Sequence, residues 1–167
     1  MTSLRTELQR RHWRCEDHFI TTDSSLIPVA RLIDVYNSKE FYWANAMPSE
    51  YMKAALANSL CFGLFRSSHG ESAEFLGLAR CVTDYTTFLY LTDVWVDPAM
   101  QGKGLGSWLV QCVQQIIEEM PHLRRSMLYQ KHMEMEVVKS KFGHGLVTME
   151  RKGRGHPRYG SKGSDYS

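Results

Sequence analysis

The chain has 167 residues, a length suited to one domain with a substantial core. Hydrophobic and charged fractions of 43% and 23% are ordinary for a globular protein and exclude a chain too polar to collapse. The net charge of +2 is unevenly placed: residues 151–167 carry five Lys/Arg against one Asp, so the first 150 are slightly acidic and do not form a basic nucleic-acid surface.

Residues 1–14 read as a polar lead-in, too charged for a signal peptide. A first strand is expected from Cys15 to Thr22, stopped by Asp23-Ser24-Ser25. Helical spacing of Val29, Leu32, Ile33 and Tyr36 predicts a helix over 28–36, and Ser49 reads as the N-cap of a second over 50–58. The loop between them, Phe41-Tyr42-Trp43-Ala44-Asn45-Ala46-Met47-Pro48, is unusually aromatic. Strands follow at 60–65, 73–83 and 87–96, joined by a turn at 67–72 and another at Asp84-Tyr85. A helix over 105–120 carries Leu105, Leu109, Cys112, Val113, Ile116 and Met120 on one stripe. A short strand at 125–129, a helix at 132–141 and a last strand at 146–150 complete the domain, taken as 15–150. The Gly-, Ser- and base-rich tail over 151–167 reads as disordered. No apolar run is long enough to span a bilayer, and Cys15, Cys61, Cys81 and Cys112 are too scattered for a zinc site or a disulfide frame. The expected compartment is the cytoplasm, with the nucleus also open.

The segment Gln101-Gly102-Lys103-Gly104-Leu105-Gly106 stands between a strand and a helix. Alternating glycines permit positive φ and bare N–H groups, and the following helix aims its positive dipole end at the same spot, which suits a phosphate. The Gly-Lys-Ser/Thr ending of a P-loop is missing, and the glycine spacing and mid-chain position fit a dinucleotide fingerprint poorly. The text Leu91-Thr92-Asp93-Val94-Trp95-Val96-Asp97-Pro98-Ala99-Met100-Gln101-Gly102-Lys103-Gly104-Leu105-Gly106-Ser107 resembles the acetyl-CoA pyrophosphate loop of the GNAT N-acetyltransferase superfamily. The element order resembles that family too, over roughly residues 15–150. The resemblance implies an α/β fold with a mixed, mostly antiparallel twisted sheet flanked by about four helices. It also implies transfer of acetyl from acetyl-CoA to a primary amine.

Carried over from the family, backbone N–H groups of Gly102, Lys103, Gly104, Leu105, Gly106 and Ser107 would hold the pyrophosphate, with Gln101 opening the loop. Val94, Trp95 and Val96 would run beside the pantetheine arm like an added strand. A kink there usually frees an N–H for the thioester oxygen. Lys103 reads either as charge near the phosphates or as a solvated lysine. Strand alternation predicts Tyr90, Thr92, Val94 and Val96 on one face and Leu89, Leu91, Asp93 and Trp95 on the other. Asp93, an acid on an apolar face, reads as a paired structural carboxylate or a site acid. Tyr90 and Thr92 stand where relatives carry substrate-facing groups. Asp84 reads as a turn former.

Relatives often carry a thiolate-protonating Tyr three residues before a Phe-Gly helix ending. Here that place is Lys139, so Lys139, Tyr129 and His132 are all candidates for the role. Phe41, Tyr42, Trp43 and Trp95 are candidates for an acceptor pocket, Tyr42 and Trp43 foremost because they lie in a loop. With no framed Cys–His pair, direct attack in a ternary complex is expected. The alternative is an acyl-CoA-binding module of the same fold that has lost catalysis. The acceptor is a small-molecule or peptide amine, the protein a monomer or homodimer. A nucleic-acid role rests only on the basic tail and is not favoured.

Overall fold

The computed structural model describes residues 3–41, 44–67 and 72–128. These form a six-stranded sheet in the order β1-β2-β3-β4-β5-β6, with strands His12–Cys15, His18–Thr21, Leu60–Arg66, Glu74–Thr83, Phe88–Val96 and Arg125–Leu128. Four helices accompany it: α1 Leu4–Leu8, α2 Val29–Tyr36, α3 Ser49–Ala57 and α4 Leu105–Glu119. All strand pairs are antiparallel except β5 with β6, which α4 connects as a parallel crossover. This is the mixed α/β architecture expected from the sequence. No helix among the described residues is long and apolar enough to cross a membrane.

Two cores flank the sheet. On one face Leu109, Cys112, Val113 and Ile116 of α4 meet Leu60, Phe62, Leu64, Leu89 and Leu91. On the other, Leu32, Val35 and Tyr36 of α2 and Met52 and Leu56 of α3 meet Phe65, Phe75, Leu78 and Trp95. The 3.6-residue stripe read for α4 is the stripe that is buried. Helix α3 begins at Ser49 itself, with Pro48 as its cap residue, one position earlier than expected.

Residues 3–14 belong to the fold, against the expectation of a frayed lead-in. Ser3 caps α1, Leu8 is buried, and Arg11 pairs with Glu7 and with Glu119 at the end of α4. The expected first strand over 15–22 is half of a hairpin. A two-residue turn at Glu16-Asp17, with Glu16 at φ 53°, folds β1 onto β2. Trp13 of β1 stacks on Phe62, ring centroids 5.7 Å apart, and its indole N–H donates to Gln115. Leu8→Ala should therefore destabilise the protein by about 2 kcal/mol or more, read as a lower urea midpoint. An unchanged midpoint would mean that α1 is not docked.

Asp84 is the turn former the sequence suggested. Its carboxylate accepts the N–H groups of Thr86, Thr87 and Phe88 at 2.7–3.0 Å and the Thr87 hydroxyl at 2.6 Å. Those donors, the Thr87 hydroxyl first, hold the carboxyl well below the usual carboxylate range. A depressed folded-state value adds stability above the ordinary carboxylate pKa and loses it as pH falls further. The melting temperature of Asp84→Asn should thus lie below wild type at pH 7, and the gap should close as the pH is lowered below about 4. A gap that stays constant from pH 7 to pH 2 would assign the turn's stability elsewhere.

The helix expected at 132–141, the strand at 146–150 and the tail at 151–167 lie outside the described residues.

Candidate active site

Strand β5 carries the centre of the site. Ala79 pairs with Val94 and Cys81 with Leu91, so the single residue Arg80 on β4 faces two residues, Thr92 and Asp93. This β-bulge interrupts the alternation predicted from sequence. Leu89 and Leu91 pack on the α4 face, and after the bulge Val94 and Val96 do so. Trp95 packs on the α2/α3 face, and Asp93 bonds there to Tyr36 of α2. Asp93 therefore does not share a face with Leu89 and Leu91.

The bulge also sets where the backbone points. The Asp97 N–H donates to the Leu76 carbonyl of β4 at 2.8 Å, so by alternation Trp95 faces β4, while Val94 and Val96 turn their polar groups to the opposite edge. The Val96 carbonyl accordingly meets the Gln101 side-chain amide there, at 3.1 Å. Among the described residues β6 pairs with β5 from Phe88 to Leu91. Among the described residues no strand covers Thr92–Val96 on that side.

This end of β5 runs into the glycine segment. Asp97 caps the short 3-10 turn Pro98–Met100, whose Met100 is buried, and this directs the chain into the loop. Gly102 and Gly104 have φ of 78° and 79°, left-handed values that other residues adopt at a cost of about 1–2 kcal/mol. A Cβ at either would meet no atom within 4 Å. The two glycines are thus required for backbone shape, and the space beside them is free. Gly104 is also the cap residue of α4 and supplies no side-chain bond to the helix's first N–H groups. The N–H groups of Leu105, Gly106 and Ser107 form the polar first turn of a 15-residue helix, where the helix itself supplies no acceptor. Lys103 is exposed, with its ammonium 3.6 Å from the Met100 sulfur.

On the other face of the bulge lies a buried polar cluster. Asp93, 3% exposed, accepts from Arg80 Nε at 2.6 Å and from the Tyr36 hydroxyl at 2.7 Å. Arg80 Nη1 donates to Ser59 Oγ at 3.1 Å, and Ser59 donates to the Ala55 carbonyl near the end of α3 at 2.7 Å. Burial, and then the charge of Asp93, push the Tyr36 hydroxyl far above its usual range, so it stays a donor. Burial works against the charge on Arg80, and the adjacent carboxylate outweighs it, so the guanidinium stays charged. Asp93 is thus paired in this structure, with Arg80 and Tyr36. The partners Arg80, Tyr36 and Ser59 were not singled out from sequence. An arginine in the apolar run Leu76–Val82 was the available signal, since hairpin register with 88–96 sets it near Asp93.

Tyr90 and Thr92 are both half-buried, and Tyr90 lies between Val82 of β4 and Met127 of β6. Of the aromatic set offered for an acceptor pocket, Phe41 and Trp95 are core residues. Phe41 stacks on Tyr36 at 4.0 Å and Trp95 on Phe75 at 6.0 Å. Tyr42, Trp43, Tyr129, His132 and Lys139 lie outside the described residues. Cys61, Cys81 and Cys112 are buried, and burial lifts the Cys61 thiol to about 12 and the Cys112 thiol to about 11. Cys15 is exposed on β1, at the opposite edge of the sheet from β5.

The model of the acetyltransferase (GNAT) family matches residues 29–135, which include both helices of the second core, the bulged strand, the glycine loop and α4. The chain belongs to the GNAT acetyltransferase family. A proposed acetyltransferase of Gibberella zeae is 35% identical over 131 residues, covering 71% of this chain and 74% of its own. A histone acetyltransferase of Glycine max is 37% identical over 71 residues, 38% of this chain and 31% of that protein. Among solved structures, a GNAT-family protein from Xanthomonas campestris pv. campestris superposes with a TM-score of 0.60 at 29% identity, covering 83% of this chain and 94% of that one. A probable acetyltransferase from Staphylococcus aureus shares the fold alone, with a TM-score of 0.55 at 16% identity over 80% of this chain and 98% of its own. GNAT enzymes are acyltransferases that use acetyl-CoA, and this GNAT chain is an acyltransferase. The expected α/β GNAT sheet is the one observed.

Proposed function

We propose that this acyltransferase moves acetyl from acetyl-CoA to a primary amine by direct attack. One observation carries the reading. A single continuous stretch joins a bulged strand edge at Val94–Val96, uncovered among the described residues, to two left-handed glycines and the start of α4, whose cap residue supplies no side-chain bond. The free space beside Gly102 and Gly104, and the donors of Leu105, Gly106 and Ser107, fit a pyrophosphate. Gln101 fixes the loop by its bond to Val96, and Lys103 adds charge at the rim. The outward polar groups of Val94 and Val96 fit a pantetheine amide chain lying as an extra strand.

When bound, acetyl-CoA supplies an activated acyl thioester. The Val94 N–H donates to the thioester oxygen, where negative charge grows during attack. Tyr90 and Thr92 line the approach of the amine. Asp93 holds its place under the bulge and does not reach the amine directly, because it is buried beneath two donors. Neutralising the departing thiolate falls to Tyr129, Lys139 or His132. Direct attack is favoured because three of the four thiols are buried and protonated, and the fourth lies at the far edge of the sheet. The acceptor class is a small-molecule or peptide primary amine, and the compartment is the cytoplasm.

The test is release of free CoA from acetyl-CoA with a panel of primary amines that includes polyamines, amino acids and lysine peptides. Acetylated product should appear by mass. Acetyl-CoA binding without release against any amine would instead support a binding module that has lost catalysis.

A further inference from the structure

We propose that Arg80 is a positioning residue for acyl transfer. Clamped between Asp93 and Ser59, its guanidinium holds the Thr92–Asp93 bulge in the shape that turns the Val94 N–H to the edge away from β4. The inference rests on the reading of Val94 given above and adds the side chains that set its direction.

A bulge places an extra residue against one partner and disrupts the ladder locally, so side-chain bonds across it can set its shape. Here the residue opposite the bulge is the one that grips it. Arg80 faces Thr92 and Asp93, and its Nε–H donates to the Asp93 carboxylate at 2.6 Å. Its Nη1 reaches Ser59, which is anchored to the end of α3. Asp93 accepts a second bond from Tyr36, the last residue of α2. The result is a cross-brace from α2 to α3 that passes through the side chains on both sides of the bulge. Asp93 is bonded to Val94 through one peptide unit, so the carboxylate's position constrains the Val94 N–H. A guanidinium suits this place because one planar group offers donors in two directions and remains charged when half-buried. The chain leaving Tyr36 is the loop over 37–48 between α2 and α3, so the brace also ties that connection to the reacting centre.

An alternative is that the cluster only stabilises the fold. The two roles separate in variants that fold. Arg80→Lys keeps the positive charge beside Asp93 but lacks the fork to reach Ser59. The double variant Arg80→Gln with Asp93→Asn removes both buried charges together, so neither is left unpaired. Tyr36→Phe keeps the ring and removes one bond. For each, kcat and KM are measured with the best amine of the panel. The Val94 amide resonance is followed by NMR with acetyl-CoA and with CoA. In wild type, acetyl-CoA should shift the Val94 N–H relative to CoA, because only the thioester carbonyl adds an acceptor. In Arg80→Lys and the double variant this difference should shrink, and kcat should fall by about tenfold to a hundredfold. KM for acetyl-CoA should change by less than about threefold. Tyr36→Phe should move both readouts the same way by less.

A folded double variant that keeps wild-type kcat and the acetyl-CoA-dependent shift overturns the positioning role and leaves the Val94 reading intact. A wild-type protein with no such shift overturns both, since Val94 would then have nothing to be aimed at.

Discussion

Gly104→Asp should fold and should lose its response to acetyl-CoA. The wild-type melting temperature should rise with ligand, by a free energy of about 2.7 kcal/mol at a concentration one hundred times Kd. In the variant the rise should vanish over the same range. Crowding is not the reason, because a Cβ at Gly104 meets nothing within 4 Å. Two other effects act. The left-handed φ of 79° favours Gly, although Asp tolerates that region better than most residues, so the cost to folding is small. A carboxylate at the start of α4 would also place negative charge beside the helix's first N–H groups, where the proposed pyrophosphate would sit. The variant would fill the site with its own anion. Gly104→Asn separates the two effects, since it has a similar shape and no charge. It should retain part of the ligand-induced rise. Equal shifts for wild type and Gly104→Asp would remove the loop from the binding site.

This loop was legible in the sequence because its determinants are local. Glycine spacing, the Asp97-Pro98 turn and the apolar stripe of α4 act within a few residues of one another, and each appears in the structure where it was read. The bulge was not legible in that way. Strict alternation along 88–96 assigns Asp93 to the face of Leu89 and Leu91, and only pairing with β4 reveals that Arg80 opposes two residues. Tyr36 looked like one more member of an apolar helical stripe, and nothing local marks its hydroxyl as a partner of a carboxylate 57 positions away. The N-terminal segment was misread for the same reason. Its helix has five residues and its hairpin turns on Glu16-Asp17, so neither gives a strong local signal, yet Leu8 and Trp13 find partners across the fold. Family resemblance pointed to this loop as the place for a cofactor. It could not supply the Arg80–Asp93 brace, which depends on the pairing of β4 with β5 at the bulge.

Gly77→Ala should destabilise the protein and weaken acetyl-CoA binding together, for a reason opposite to that at Gly104. Its backbone is not left-handed; it lacks room. Gly77 pairs with Val96, and just before it the register of β3 with β4 slips, with Leu64 opposite Gly77 and Phe65 opposite Phe75. A Cβ at this point would lie 2.9 Å from the Trp95 carbonyl oxygen, 3.2 Å from a Leu64 methyl and 3.4 Å from a Leu109 methyl. Leu64 and Leu109 are fully buried and have nowhere to retreat. The Trp95 oxygen belongs to the backbone, so relieving the clash means moving β5 away from β4 or lifting α4 from the sheet. In a strand interior, alanine ordinarily gains about 0.5–1 kcal/mol over glycine. Overpacking of a well-filled core costs about 1–3 kcal/mol and should outweigh that gain. Because the backbone that must move is Val94–Val96, the edge proposed to meet the pantetheine arm, the ligand-induced rise in melting temperature should shrink in the same variant. Gly77→Val, with two further methyl groups, should fail to fold at ordinary temperature. Denaturant titration with and without acetyl-CoA reads both effects. A Gly77→Ala protein that is more stable than wild type would mean that β4 and β5 are farther apart at this pair than 2.9 Å allows. The close approach of strand, carbonyl and helix would then not be what fixes the start of α4 over the end of β5.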